Sequence, residues 1–141
     1  MGLNGVITSN VLVGNLTDGG EELVFVGTSN GLYVIAPGGK LDHFLYSPFG
    51  IGHVALLDDV SGDDVRDIVV SLQKADVPML RCYDGATWQK TWQFAPEVRL
   101  FREDVGWVEV QSSIAGLEIA HAGDSQNILI TADRSLYCIR G

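Results

Sequence analysis

The sequence is poor in cysteine, proline and basic residues. Of its 141 residues, two are Cys, four are Pro and nine are Lys or Arg, against 18 Asp or Glu. Two cysteines are too few for a disulfide scaffold, and both lie in apolar, strand-like segments, so we expect Cys82 and Cys138 to be buried, reduced thiols. The formal net charge of -9, with Lys and Arg scattered along the chain, argues against binding to nucleic acid or anionic lipid.

Long apolar runs and helical periodicity are also lacking. No apolar run approaches the roughly 20 residues that span a bilayer, so no membrane span is predicted. The first residues resemble no signal peptide, and the compartment stays unknown. Hydrophobic residues nevertheless make up 46% of the chain, which is enough for a packed core.

Short β-rich runs separated by Gly, Asn, Asp, Ser and Pro take the place of helices. This pattern predicts an all-β fold, with a tight hairpin turn at residues 29–31. The predicted strands are residues 10–14, 22–28, 31–36, 41–46, 52–58, 67–73, 79–83, 90–94, 99–102, 107–111, 114–120, 127–131 and 135–139.

The strands recur as a unit of an apolar strand, a polar Gly/Asp loop, a second apolar strand, a turn and a third strand. Leu23, Ile68 and Ile128 are matched in this comparison, and Cys82 and Cys138 align with Val34. Repeats of about 45–60 residues with four strands each are typical of β-propeller blades. We therefore predict about three four-stranded antiparallel blades in residues 4–48, 49–96 and 97–141, with the last blade incomplete. Such a partial ring belongs to a larger propeller or is completed by oligomerisation.

Two segments resemble known repeats. Residues 49–71 start with Phe-Gly and continue into an Asp-rich loop and an apolar strand, which resembles the FG-GAP repeat. Residues 83–94 are similar to the quinoprotein-like (PQQ-like) repeat, with Trp88 in place of its usual Gly and Trp92 as the residue that docks between blades in that family. Both resemblances imply β-propeller architecture, inside or outside cells, without quinone chemistry.

The loop of residues 59–67 has oxygen ligands spaced as in a calcium loop. Oxygens fall at its positions 1, 3, 5 and 9, and the carbonyl at position 7 completes the set, which suits the six to eight oxygens that Ca²⁺ prefers. Asp64 stands where a Gly would ease the turn. The alternative is a metal-free turn whose carboxylates cap backbone amides. The predicted ligands of this structural Ca²⁺ are Asp59, Ser61, Asp63, Val65 and Asp67.

No spacing in the chain favours catalysis. The three histidines lie in different repeats, and neighbouring carboxylates in a strand point to opposite faces, so no acid–base pair converges. The sequence predicts a non-catalytic scaffold or protein-interaction module, not an enzyme. Trp88 and Trp107 are the candidate recognition residues, although packing between blades is the usual role of such aromatics. The alternatives are a carbohydrate-binding or carbohydrate-active propeller whose site needs the complete ring, and a three-blade protomer that assembles with itself into a six-bladed ring.

Overall fold

The computed structural model describes residues 5–59, 62–73, 80–111, 114–123, 125–132 and 135–140. The all-β prediction is confirmed, and in these ranges the regular structure consists of strands. No helix in this part of the chain has the length and apolar content needed to cross a membrane. The strands are β1 (Ile7–Gly14), β2 (Leu23–Thr28), β3 (Gly31–Ile35), β4 (Leu41–Tyr46), β5 (Ile51–Leu57), β6 (Asp67–Leu72), β7 (Leu80–Tyr83), β8 (Lys90–Phe94), β9 (Glu97–Arg102), β10 (Gly106–Gln111), β11 (Ile114–Ala122), β12 (Ser125–Ala132) and β13 (Ser135–Arg140).

The strands form antiparallel sheets in which neighbours in sequence are neighbours in space. Sheet one has the order β1-β2-β3-β4 and sheet two the order β5-β6-β7-β8. Sheet three has the order β11-β12-β13, and β9 with β10 forms a separate two-stranded hairpin. The first strands of the sheets meet, because β5 contacts both β1 and β11. Sheet two is therefore the middle sheet of the three.

Two apolar clusters fill the spaces between the sheets. Every residue of β6 is buried, because sheet two is covered on both faces. We call the face of each sheet that carries Ile68 or its equivalent face A, and the opposite face, which carries Cys82 or its equivalent, face B. The first cluster joins face B of sheet one to face A of sheet two and includes Phe25, Leu32, Val34, Ile68, Val70 and Leu72. The second joins face B of sheet two to face A of sheet three and includes Val69, Leu80, Cys82, Ile128 and Ile130.

The cross-strand register corrects one match between the repeats. Val24, Ile68 and Ile128 occupy the same place, since they pair with Ile35, Tyr83 and Ile139 of the following strands. The sequence comparison placed Leu23 there, which is wrong by one residue. Leu23 and Asp67 both open their strands and are both buried, so a leucine stands where sheet two has a carboxylate. Matching apolar residues to apolar residues could not anticipate that exchange.

The thiols occupy matched positions but differ in exposure. Val34 pairs with Phe25, Cys82 with Val69 and Cys138 with Leu129, which confirms the predicted match of the three positions. Both cysteines are free, as expected. Cys82 is buried, but Cys138 is exposed, so the prediction of a buried thiol is wrong for Cys138. The reason is that sheet three covers Cys82, whereas Cys138 lies on the outer face of sheet three.

Candidate functional site

A cavity of about 530 Å³ lies where the β1–β2 loop meets the β5–β6 loop. Five aspartates and one arginine give it a strongly acidic lining. It is therefore a place where cationic groups are attracted and anions are repelled. The residues that line it are Leu16, Thr17, Asp18, Asp58, Asp59, Asp63, Asp64, Val65 and Arg66.

Arg66 joins the two loops. Its backbone amide donates to the carbonyl of Leu16 at 2.7 Å. Its Nη1 donates to the carbonyl oxygen of Asn15 at 2.9 Å and also to the side-chain Oδ1 of Asn15. Its Nη2 donates to Asp18 Oδ1 at 2.9 Å, and its Nε lies 3.7 Å from Asp58 Oδ1. The guanidinium thus neutralises part of the acidic lining and holds sheet one against sheet two at this end.

The carboxylates of the β5–β6 loop accept hydrogen bonds from the loop's own backbone. Asp59 Oδ1 accepts from the amide of Gly62 and Oδ2 from the amide of Asp64, both at 2.7 Å. Asp63 Oδ1 accepts from the amide of Val65 at 3.0 Å. These are the Asp turns that the sequence offered as the alternative to a calcium loop.

The predicted calcium ligands do not all line this cavity. Asp59, Asp63 and Val65 line it, whereas Asp67 is fully buried and its Oδ1 accepts from the amide of Gly85 at 3.4 Å. Ser61 lies outside the described residues. Among the residues that are described, no group of three or more His, Cys, Asp or Glu is arranged to hold a metal ion. The calcium loop therefore stays a prediction.

Two turn residues, one in the β5–β6 loop and one in the β7–β8 turn, adopt the left-handed backbone conformation. In the described ranges, Asp64 (φ 63°) and Trp88 (φ 62°) are the non-glycine residues with positive φ. Glycine adopts this region without steric cost, and other residues do so rarely. They are the same two positions at which the resembled repeats carry glycine. Asp64 and Trp88 thus adopt a backbone conformation that favours glycine.

Trp88 is a packing residue. It is half-buried, packs against the first apolar cluster, and its ring stacks on His43 with centroids 4.2 Å apart. Burial lowers the pKa of His43, with Asp42 opposing the shift, so this imidazole is disposed to stay neutral against the indole. Trp92 packs against the second cluster, between sheets two and three.

Trp107 lies on the hairpin and is open to solvent. Its side chain is 63% exposed, and its ring meets Phe101 edge to face at 5.5 Å. Next to this pair, Arg102 Nη2 contacts Asp104 Oδ2 at 2.9 Å. Of the two tryptophans predicted for recognition, Trp107 therefore has the more accessible ring.

Arg66, Asp18 and Asp58 line the cavity but were not predicted as site residues from the sequence. Arg66 and Asp18 are 48 residues apart, so no local motif could connect them. One signal was present, because Arg66 is the one Lys or Arg in residues 41–73 and it lies within an Asp-rich loop. A single basic side chain within an Asp-rich loop indicates that it pairs with nearby carboxylates of the same protein.

Comparison of the chain with protein-family models, with curated proteins and with solved structures found no significant match. The proposals below therefore depend on the geometry and the sequence pattern.

Proposed function

We propose that this chain is a segment of a β-propeller that serves as a non-catalytic scaffold and protein-interaction module. The observation that carries the proposal is the repeated packing of its sheets. Face B of sheet one covers face A of sheet two, and face B of sheet two covers face A of sheet three. The first strands β1, β5 and β11 meet at one side of this stack, as the innermost strands of propeller blades do.

Side-chain amides join the sheets at both junctions, Asn10 from sheet one to sheet two and Gln126 from sheet three to sheet two. The side chain of Asn10 in β1 forms two hydrogen bonds with the backbone of Val54: its Oδ1 accepts from the amide and its Nδ2 donates to the carbonyl, both at 3.1 Å. The side chain of Gln126 in β12 forms the same pair with Asp58: its Oε1 accepts from the amide at 2.9 Å and its Nε2 donates to the carbonyl at 3.0 Å. An amide that pairs with both polar groups of a neighbouring residue fixes the position of one sheet on the next. The left-handed backbone at Asp64 and Trp88 further supports the two repeat resemblances.

A carbohydrate-binding propeller is the second candidate, and the exposed pair of Trp107 and Phe101 favours it. Exposed aromatic rings on a projecting hairpin can stack on sugar rings. The scaffold proposal assigns the same pair to contacts with a protein partner, in which buried Trp is a frequent source of binding energy. The two candidates therefore differ in the ligand of one surface.

Solution NMR on the 141-residue chain tests both. The scaffold proposal predicts inter-strand contacts between β1 and β5 and between β5 and β11, and no shift of the Trp107 indole resonance with a panel of oligosaccharides. Absence of those inter-strand contacts would refute the propeller segment. Saturable chemical-shift changes on addition of an oligosaccharide, lost in Trp107→Ala and retained in the control Tyr46→Ala, would refute the scaffold proposal and support carbohydrate binding. Tyr46 is a suitable control because it is 69% exposed and lies on β4, outside the hairpin.

A further inference from the structure

Face B of sheet three has the residues of an internal interface but no sheet covers it in the described chain. Leu32, Leu80 and Leu136 are equivalent, because they pair with Gly27, Ser71 and Thr131 at the same place in their sheets. Leu32 and Leu80 are fully buried, whereas Leu136 is 67% exposed. The difference lies in what covers each position and not in the residue.

The neighbouring position repeats the pattern. Val34 and Cys82 are fully buried by the next sheet, and their equivalent Cys138 is exposed. Leucine and cysteine at these two places of sheet three match leucine and cysteine at the same places of sheet two. Face B of sheet three is therefore composed like a face that receives another sheet.

Face A of sheet one is exposed along its first strand, β1, whereas Val26 and Tyr33 on its middle strands are buried. Val11 pairs with Val26 and Val13 with Val24, so these side chains share face A. Val54, the equivalent of Val11 in sheet two, is 3% exposed because sheet one covers it, but Val11 is 61% exposed. Val13 is 57% exposed on the same face.

We infer that face B of sheet three binds face A of sheet one from a second copy of this chain, in a head-to-tail dimer. The inference rests on the proposed propeller architecture. At both junctions a face B packs on a face A, and among the described residues no sheet covers face B of sheet three or the β1 side of face A of sheet one. Such a heterologous contact gives a closed ring or an open filament. If the hairpin is left out, each copy supplies sheets one to three, so two copies supply six, within the roughly four to eight blades of typical propellers, and three copies exceed that range.

The driving force is burial of apolar side chains, and the opposing force is charge. Covering Val11, Val13 and Leu136 removes exposed apolar surface from water, and this gain opposes the entropic cost of association. Each copy carries a formal charge of -9, so two copies repel. Salt screens that repulsion and strengthens apolar burial. The dimer should therefore become tighter at high ionic strength.

Sedimentation equilibrium and light scattering over a range of protein concentrations test the inference. The expected mass rises to about twice the 15.2 kDa of one chain. Val13→Glu on face A and Leu136→Glu on face B should each weaken the association at least about tenfold, since each places a charge inside the interface. Val105→Glu is the matched control, because Val105 is 62% exposed in the turn of the separate hairpin and belongs to neither sheet one nor sheet three, and this variant should dimerise normally.

A mixture of the two interface variants tests the head-to-tail arrangement. Each variant retains one intact face, so a 1:1 mixture should form mixed dimers more readily than either variant alone. If face A binds face A, Leu136→Glu by itself would dimerise as well as the unmodified chain, and the inference would be wrong. Alkylation gives a second readout, because Cys138 should react more slowly at dimer-forming concentrations.

A monomer at every concentration and salt would overturn the dimer. The proposed function would survive that result if NMR still showed the contacts of β5 with β1 and β11, since the exposed faces would then receive other sheets of the propeller. Loss of those contacts would instead refute the proposed function itself. Each variant is first checked for an unchanged circular dichroism spectrum, so that a lost dimer is distinguished from a lost fold.

Discussion

Arg66 provides the sharpest test of how the two acidic loops are held together. Its guanidinium reaches the carbonyl and side chain of Asn15 and the carboxylate of Asp18, all on the β1–β2 loop. Arg66→Met keeps the aliphatic stem and removes the charge and the donors. Arg66→Lys keeps the charge but cannot donate in two fixed directions. The two variants therefore separate the effect of charge from that of geometry.

The structure indicates which contact of Arg66 matters. The Asp18 side chain is 97% exposed, and an ion pair to such a group contributes about 0–1 kcal/mol. The carbonyl of Asn15 is part-buried, and a hydrogen bond from a charged donor contributes about 1.5–3 kcal/mol. We therefore expect Arg66→Met to lower the free energy of unfolding by about 2 kcal/mol, with Arg66→Lys between this value and no change. Asp18→Asn should cost less than about 0.5 kcal/mol.

Urea unfolding followed by fluorescence measures these differences. The expected result is a lower midpoint with an unchanged slope, since the surface exposed on unfolding stays the same. A loss of about 2 kcal/mol corresponds to a fall in melting temperature of roughly 4–8 °C for a chain of this size. The reasoning is refuted if Asp18→Asn costs as much as Arg66→Met, or if Arg66→Met changes the unfolding free energy by less than about 0.5 kcal/mol.

Four other perturbations have defined outcomes. Asp64→Gly should raise the unfolding free energy by about 0.5 kcal/mol and Asp64→Val should lower it, because glycine adopts the left-handed backbone conformation at this position without steric cost. Equal unfolding free energies of the two variants in urea would contradict this reasoning. Burial lowers the pKa of His53 despite a backbone hydrogen bond with Ala115. The stability that neutral His53 contributes to the folded state is therefore fully present above pH 6.5 and is lost as the pH falls through the lowered pKa of the folded protein. His53→Gln should flatten the dependence of the unfolding free energy on pH in this range. Burial raises the pKa of the Cys82 thiol to about 11, so a thiol reagent at pH 8 should modify one cysteine in dilute native protein and two in denaturant; two rapid native reactions would exclude a buried Cys82. A Ca²⁺ ion bound at residues 59–67 should stabilise the fold by about 2.7 kcal/mol when Ca²⁺ is at a hundredfold excess over its dissociation constant, and the melting temperature should rise accordingly. A melting temperature that is unchanged by excess EDTA would count against the calcium site.

The fold class could be predicted from the sequence because strands leave a local signal. Alternating apolar residues and Gly- or Asp-rich turns act over a few residues, and each strand of the structure overlaps one that the pattern predicted. Register was harder. Leu23 and Asp67 occupy the same place, and nothing in an apolar pattern says that a fully buried carboxylate can replace a leucine.

The difference in solvent exposure between matched side chains could not be predicted from the local sequence. Cys82 and Cys138 lie in similar segments, at the same place in their sheets, yet one is buried and the other is exposed. Their difference depends on whether a neighbouring sheet lies over them. The Asp-rich loop was visible as a run of carboxylates, but its partner loop, more than 40 residues away, was not.

Arg66 also changes what the acidic loop requires. The spacing of its oxygens predicted a bound Ca²⁺, yet the loop carries a guanidinium of its own, held between the two sheets. Asp59 and Asp63 meanwhile satisfy their oxygens partly with backbone amides. These contacts close the turn and join the two loops. Because the lining has five aspartates and one arginine, the cavity stays acidic overall, so the loop's stability and its attraction for cations are separable properties. Arg66 controls the stability of the loop because it bridges the two sheets, whereas the remaining carboxylates determine the attraction of the cavity for cations.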